Sequence, residues 1–557
     1  MASPLRTARW LHALMLISPF STALTASTGA WRTRSVYQTM TDRFARTDGS
    51  TTAPCNTTAG LYCGGTWRGM IDHLDYIEGM GFDAVMISPI IKNVEGRVSY
   101  GEAYHGYWAE DLYALNPHFG TEQDLLDLSE ALHARGMYLM MDTVINNMAY
   151  LTNGRDPATS IDYSKLQPFN EARYYHPYCP ITDYNDYPLA QRCWTGDDIV
   201  ALPDLKTEDP DVQRMLNRWI SETMAKYSID GLRLDAAKHI TPAYLRAFQQ
   251  AANDSLVTGE VFDRSVDTIC SYQANNELTS VPNYPIYYAL LDAFTLGDTT
   301  DLPNRIEEMK HACPNVSTLT TFSENHDVPR FASLINDLNV SPLSPLTPIL
   351  LSTIFPPPQP QTNPSRKLAK NILTFTLLYD GIPMIYQGQE QHLSGAHDPQ
   401  NREALWLTGY ATTPEAAPLY THIATLNALR RHAIRLDAAY VDTLTYPLYR
   451  GSSEMGFRKG REDRPVVMVL STQGSASGAY KIRLTTGFQP SVEVVEVLSC
   501  QRYTVSEVGE LWLGMDRGEP RVLFPVRWME GSGLCQMLAP KEINYRITER
   551  PPKNYEW

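Results

Sequence analysis

The sequence predicts an α/β architecture: a (β/α)8 TIM barrel, with a small domain inserted after its third strand and an all-β sandwich domain at its C-terminal end. Three observations predict it. Strand-like and helix-like segments alternate from about Ser35 to about His432. A Tyr-, Pro- and Asp-rich stretch from about Asn147 to Leu205 breaks that rhythm, and beyond about Arg435 the pattern turns to short alternating strands. At 557 residues the chain exceeds one core, so two or three structural units are expected. The boundaries read as residues 31–146 and 206–434 for the barrel, 147–205 for the insert and 435–548 for the β domain, with a tail at 549–557.

Ser35-Val-Tyr-Gln-Thr, Ala84-Val-Met-Ile-Ser and Met137-Tyr-Leu-Met-Met-Asp read as buried strands. Between the first two, Trp67, Met70, Ile71, Leu74 and Ile77 recur at helical spacing, stopped by Gly79 and Gly81. Thr121-Glu-Gln-Asp opens the next helix as a capping signal, Leu125, Leu128 and Leu132 form its apolar stripe, and Gly136 ends it. Further strands are expected at Gly231–Asp235, Leu256–Glu260, Leu319–Ser323 and Ile382–Tyr386. Repeated βα units of this length call for a parallel sheet, closed most simply as a barrel. In the last domain, Pro465–Leu470 and Val492–Val497 alternate as strands of an all-β fold closed by Cys500 and Cys535.

One segment fits neither pattern. Residues 340–366 are packed with Pro, Ser and Thr, and a long structureless loop inside a compact domain needs a reason. A lid, a disordered insertion and a translated retained intron all account for it. Val340-Ser341 can be encoded by GTAAGT, a common donor-site sequence, and the transcript decides that case.

The charge of −15 makes a polyanionic partner such as nucleic acid a poor fit. Residues 1–30 read as a secretory signal peptide: Arg6 and Arg9 precede an apolar run too short to anchor in a bilayer, and small residues follow. The mature start is placed between Ala23 and Trp31. Eight cysteines fall into four sequence-ordered pairs without a CxxC: Cys55 and Cys63, Cys179 and Cys193, Cys270 and Cys313, Cys500 and Cys535. Oxidised staples in an extracellular compartment account for them better than zinc. Asn56, Asn253, Asn315 and Asn339 open glycan-acceptor tripeptides. The 32 Tyr and 10 Trp also suit a sugar-binding surface, since pyranose faces stack on flat rings.

Four segments put carboxylates at the C-terminal ends of candidate barrel strands, where barrel enzymes build their sites. They are Asp142-Thr-Val-Ile-Asn146-Asn147, Asp230-Gly-Leu-Arg233-Leu-Asp235-Ala-Ala-Lys238-His239, Gly259-Glu260-Val-Phe and Phe322-Ser-Glu-Asn325-His326-Asp327. With these motifs the chain resembles the α-amylase family of glycoside hydrolases, specifically fungal members, from about Trp31 to about Cys535. The likeness is dense at Thr41–Ser50, Tyr104–Trp108, Leu202–Leu205 and Gly381–Gln391, and it resumes directly after the Pro-rich segment.

The resemblance implies a retaining hydrolase of internal α-1,4-glucosidic bonds, with Asp235 as nucleophile, Glu260 as general acid/base and Asp327 binding sugar hydroxyls in the transition state. Retention needs two carboxyl groups roughly 5 Å apart across the bond. Arg233, two residues before the nucleophile on the same strand face, can hold it ionised. Tyr107, His105, Trp108 and His326 resemble residues lining the central sugar subsite. Lys238 and His239 match positions on the leaving-group side, and Asp398 and Arg402 match positions on the other side of the cut. The resemblance also implies a Ca2+ ion held by Asn146, Gln191, Asp204 and the backbone carbonyl of His239, joining insert to barrel; calcium prefers such mixed oxygen donors. The expected partner is an α-glucan chain, met by a monomer.

The chain departs from the family at Asn147, where the first motif ordinarily ends in a histidine that contacts the sugar. An amide is shorter and cannot become an imidazolium, so a charge-assisted contact is weakened by about 1–3 kcal/mol. A fungal subgroup with Asn at this position is associated with cell-wall α-glucan and tends to transfer chains to sugars rather than water. Three readings therefore stand at the level of sequence: an α-amylase-type hydrolase, a 4-α-glucanotransferase sharing the same covalent intermediate, and an inactive glucan-binding protein. That subgroup often carries a lipid-anchor signal. The final Arg-Pro-Pro-Lys-Asn-Tyr-Glu-Trp holds no hydrophobic tail, so the expectation is free secretion or a sequence cut short.

Overall fold

The structure is a computed structural model, and it describes residues 26–335 and 366–535. The Pro-rich stretch apart from Arg366, most of the expected signal peptide and the final tail lie outside the described residues.

Seven parallel strands form one sheet. Their order in space is Leu256–Gly259, Gly231–Leu234, Tyr138–Thr143, Ala84–Ile87, Val36–Gln38, Ile382–Tyr386 and Thr320–Thr321. All pair in parallel. The ring closes through an eighth segment that the sequence reading missed. Ser280 bridges Thr258, and Pro282 bridges Thr320, both in parallel. Gly259 N–H donates to Ser280 O at 3.1 Å and Asn283 N–H to Thr320 O at 2.8 Å. This segment escapes a pattern search because it is only three residues long and ends in Pro, which contributes no N–H to a ladder.

Strand alternation sorts the side chains. Val36, Ala84, Met86, Met140, Leu256, Ile382 and Met384 share a cluster with Trp31 and Phe322 inside the barrel. Their neighbours Tyr37, Val85, Ile87, Leu139, Met141, Val257 and Ile385 belong to the larger cluster shared with the surrounding helices. Trp31 is fully buried, and its indole N–H donates to Asp230 O at 3.1 Å. Gly231 lies against it: a Cβ there would come within 2.7 Å of the indole ring. Carried to the C-terminal ends, the same alternation turns Gln38, Asp142, Arg233 and Asp235 toward the barrel mouth.

The helix Glu122–Ala134 begins as its sequence dictates. Thr121 Oγ1 accepts from Asp124 N–H at 3.2 Å and Asp124 Oδ2 accepts from Thr121 N–H at 2.8 Å, a reciprocal capping box. Leu125, Leu128 and Leu132 are buried, and Gly136 closes the end at φ +70°. The helix expected from Trp67 to Ile77 is instead two short ones, Trp67–Ile71 and Leu74–Gly79, broken at His73, whose φ −121° is not helical. His73 Nδ1 turns back to Gly69 O at 3.0 Å, anchoring the break.

After Thr143 the chain leaves the barrel and builds a small antiparallel sheet of Tyr150–Leu151, Val200–Leu202 and Thr195–Gly196. Beyond the helix Pro418–Leu436 comes a six-stranded antiparallel sheet with a two-stranded sheet, Ala479–Thr485 and Glu510–Asp516, packed on it. In its strand Val466–Ser471, Val467 and Val469 face the second sheet, while Val466, Met468 and Leu470 face the barrel side. Both faces are covered, so the strand reads as an unbroken apolar run. The four disulfides join the cysteines in sequence order, which suits an oxidising compartment. No described helix is long and apolar enough to cross a membrane.

Candidate active site

Strand register assembles the site. Asp142 is paired with Arg233 across one strand boundary, and Thr258, two residues before Glu260, is paired with Arg233 across the other. The Arg233 guanidinium is therefore surrounded by acids. Its Nη1 reaches Asp142 Oδ1 at 3.0 Å and Asp235 Oδ1 at 2.7 Å, while its Nη2 reaches Glu260 Oε1 at 2.8 Å and Asp327 Oδ2 at 3.7 Å. One buried cation thus holds four carboxylates from four strand ends. The residue after Asp235, Ala236, adopts φ +50°, a left-handed conformation that costs a non-glycine residue of order 1 kcal/mol. That turn aims its N–H at Glu260 Oε2, 3.0 Å away.

Burial and like charge separate the acids. Burial pushes the Glu260 carboxyl up to about 7, against the pull of Arg233 and with added push from Asp235 and Asp327. Burial raises Asp235 to about 6, again resisted by Arg233 and reinforced by Asp142 and Asp327. Asp142 rises to about 6 for the same reasons, desolvation first, with Arg233 and the Tyr107 hydroxyl opposing. Asp327 goes the other way. Burial works against its charge, but His326, Arg402 and Arg233 together hold it below the usual carboxylate range.

Aromatic and basic residues wall this cluster. Tyr107 Oη lies 2.7 Å from Asp142 Oδ2 and 2.6 Å from His326 Nε2, and its ring stacks at 5° on the imidazole. The His105 ring also lies near-parallel to that of Tyr107, at 17°, and burial with the Arg402 charge keeps the His105 pKa low. Arg402 bonds Asp327 Oδ1 at 3.1 Å and Asp398 Oδ1 at 3.0 Å, so these two sequence-predicted residues join the cluster through one guanidinium. Lys238 is buried 4.0 Å from Asp263 Oδ2, with its ammonium over the Tyr187 ring. Trp108 stands farther back, edge-on to His105 at 5.0 Å, in a small apolar cluster with Val94, Val98, Ala149 and Val200. It backs His105 and joins the barrel to the insert.

Asn147 is buried, and its amide N–H2 donates to Met148 O at 3.2 Å. Among the described residues it makes no side-chain hydrogen bond to the four carboxylates. The expected calcium ligands fall into two pairs. Asn146 and Asp204 lie side by side: Leu205 N–H donates to Asn146 O at 2.8 Å, and Asn147 bridges Asp204. Gln191 follows Ala190, whose carbonyl oxygen lies 2.9 Å from His239 Nδ1. Asn146 Oδ1, Asn146 Nδ2 and Asp204 Oδ1 are buried without a hydrogen-bond partner among the described residues. Orphaned buried oxygens are costly, and a hard cation satisfies them. The described residues hold no cluster of three or more His, Cys, Asp or Glu side chains placed for a metal; this donor set is mostly amide and carbonyl oxygen.

Sequence reasoning passed over Gln38, which meets His326; Tyr187 and Asp263, which flank Lys238; and Tyr284, whose hydroxyl accepts from Asn325 Nδ2 at 3.4 Å. Gln38 was legible only as a strand residue. Its polar side chain inside a buried strand was the available signal.

A closed parallel barrel with acids gathered at the C-terminal strand ends defines a barrel enzyme with paired-carboxylate chemistry. Sequence comparisons make the class specific. The alpha-amylase catalytic domain profile matches residues 38–417, and the alpha-amylase domain C profile matches residues 447–542. Alpha-amylase 2 of Schwanniomyces occidentalis is 41% identical over 92% of this chain and 93% of its own length. The alpha-amylase of Saccharomycopsis fibuligera is 40% identical over 91% and 93%. The solved alpha-amylase of Malbranchea cinnamomea superposes with a TM-score of 0.82 at 45% identity, covering 92% of this chain and 100% of that one. The chain belongs to the α-amylase family of glycoside hydrolases.

Proposed function

We propose that the protein is a secreted, monomeric α-amylase that hydrolyses internal α-1,4-glucosidic bonds of starch-like glucans with retention, through a covalent glycosyl–Asp235 intermediate. The observation that carries this reading is the pair of bonds from one guanidinium, Arg233, to Asp235 at 2.7 Å and Glu260 at 2.8 Å. Two carboxyls gripped by one guanidinium fit the close spacing of about 5 Å that retention uses better than the wider gap that inversion needs.

In the first step an Asp235 carboxylate oxygen attacks the anomeric carbon while Glu260 gives its proton to the departing glycosidic oxygen. In the second, Glu260 takes a proton from water as that water attacks the same carbon, and Asp235 leaves. Glu260, raised to about 7, is a competent acid near neutrality, while Asp235 stays largely ionised beside Arg233. Asp327, held ionised by His326, Arg402 and Arg233, accepts sugar hydroxyls as the ring flattens toward the oxocarbenium-like state. Tyr107 offers a stacking face, Lys238 and His239 serve the leaving-group side, and Asp398 with Arg402 the other.

Asn146, Asp204, the Gln191 neighbourhood and the His239 carbonyl would hold Ca2+, which would supply a structural cross-link between insert and barrel. The orphaned oxygens of Asn146 and Asp204 support that fit.

The test is incubation with maltoheptaose in the presence of calcium, with products resolved by length. Shorter sugars with reducing ends rising in step support hydrolysis. Products longer than the substrate, with little gain in reducing ends, replace it with transfer. Neither change leaves a glucan-binding protein.

A further inference from the structure

Gln38 ends the first barrel strand and is 3% exposed, with its side chain in the barrel mouth. Its Nε2 lies 2.8 Å from His326 Nδ1. The direction of that bond is fixed by the opposite side of the imidazole. Tyr107 has one hydroxyl hydrogen. Asp142 Oδ2, 2.7 Å away and already bonded by Arg233, takes it as an ionised acceptor. His326 Nε2 is 2.6 Å from the same hydroxyl oxygen and 3.2 Å from Asp327 Oδ2, so both neighbours call for an N–H there. A neutral imidazole carrying its hydrogen on Nε2 has a bare Nδ1, an acceptor that the Gln38 amide N–H2 satisfies. The chain then runs from Gln38 through His326 and Tyr107 to Asp142 with each of its three bonds matched donor to acceptor, while Gln38 Oε1 is buried without a partner among the described residues.

We propose that Gln38 is a positioning residue of this site, holding His326 in its Nε2–H form so that the imidazole donates toward Asp327 and the sugar. The proposal rests on the amylase reading for its consequence in catalysis, though not for the tautomer itself. His326 is surrounded by Gln38, Tyr107, Asp327, Arg233, Arg402 and His105, and its ring lies 6.5 Å from that of Tyr386. Burial is the largest influence on the ring, with the Arg233 and Arg402 charges adding to it and Asp327 opposing. Together they keep the imidazole uncharged down to about 3.

Two variants separate positioning from packing. Gln38→Met keeps the volume and removes the donor. Gln38→Glu keeps the shape but replaces the donor with an acceptor, which draws a hydrogen to Nδ1 and favours the imidazolium. With maltoheptaose as substrate, Gln38→Met is expected to lower kcat by about tenfold, with KM little changed and the pH profile keeping its form. Gln38→Glu is expected to gain a further loss on the alkaline side, because deprotonation of the imidazolium now leaves Nε2 bare. Long-range 15N–1H correlation on histidine-labelled protein, with His326→Asn used to assign the ring, reads the tautomer directly, and Nε2–H is expected in the unsubstituted protein. A hydrogen on Nδ1, or a Gln38→Glu profile matching that of the unsubstituted protein, overturns the proposal. If the unsubstituted protein hydrolyses nothing, the amylase reading fails, and the spectrum still decides the role of Gln38.

Discussion

Arg233 and Glu260 stand on adjacent barrel strands and meet at 2.8 Å, while the other terminal nitrogen of the same guanidinium meets Asp235 at 2.7 Å. The cation lowers the cost of burying two acids together, yet it does not cancel it: both carboxyls remain raised, Glu260 to about 7 and Asp235 to about 6. Burial and the neighbouring acids raise both groups, so the cluster holds and releases its protons as a unit near neutrality.

The pH dependence of kcat/KM on maltoheptaose is expected to be a narrow bell. Its acid limb, near 6, reflects the need for an ionised Asp235; its alkaline limb, near 7, reflects loss of the Glu260 proton. Both limbs belong to the coupled cluster rather than to single residues. A broad plateau from pH 4 to pH 9 would contradict this assignment.

Glu260→Gln is expected to abolish turnover, by about a thousandfold or more, while raising thermal stability under alkaline conditions. The sign follows from the shift. A carboxyl raised from 4.5 to about 7 on folding penalises the native state above the folded value, and that penalty vanishes below the unfolded value. Calorimetry at pH 8 should show the variant about 3 kcal/mol more stable. At pH 4 the two proteins should melt together.

Asn147→His is expected to raise kcat/KM for hydrolysis by about tenfold, through a transition-state contact worth about 1–2 kcal/mol. The native amide is turned onto Met148 O. Steady-state kinetics with product-length analysis checks this, and an unchanged kcat/KM would show that the departure at this position is neutral.

If the proposed Ca2+ is held there, chelation with EGTA is expected to lower the melting temperature and to expose the segment 147–205 to proteolysis first, because the orphaned oxygens of Asn146 and Asp204 would lose their cation. Asp204→Ala should melt low and gain nothing from added calcium. Equal melting of the native protein with and without chelator would argue against a resident ion.

The sequence by itself determined the barrel, the sandwich and the acids. Those readings rest on short-range physics: unbroken apolar runs such as Ala84–Ile87, the Thr121 capping box, and carboxylates placed at strand ends. Local pattern also carried the disulfide order. Tertiary structure alone decided what depends on register and closure. The barrel is completed by Ser280–Pro282, a segment too short to show a period. The pairing of Asp142 with Arg233, 91 residues away, turns separate acids into one cluster. Gln38 and His326 meet across 288 residues of chain. A sequence window records which face a side chain takes, but not its partner there. Partners are set by strand order and register, which every strand in the closed ring fixes together.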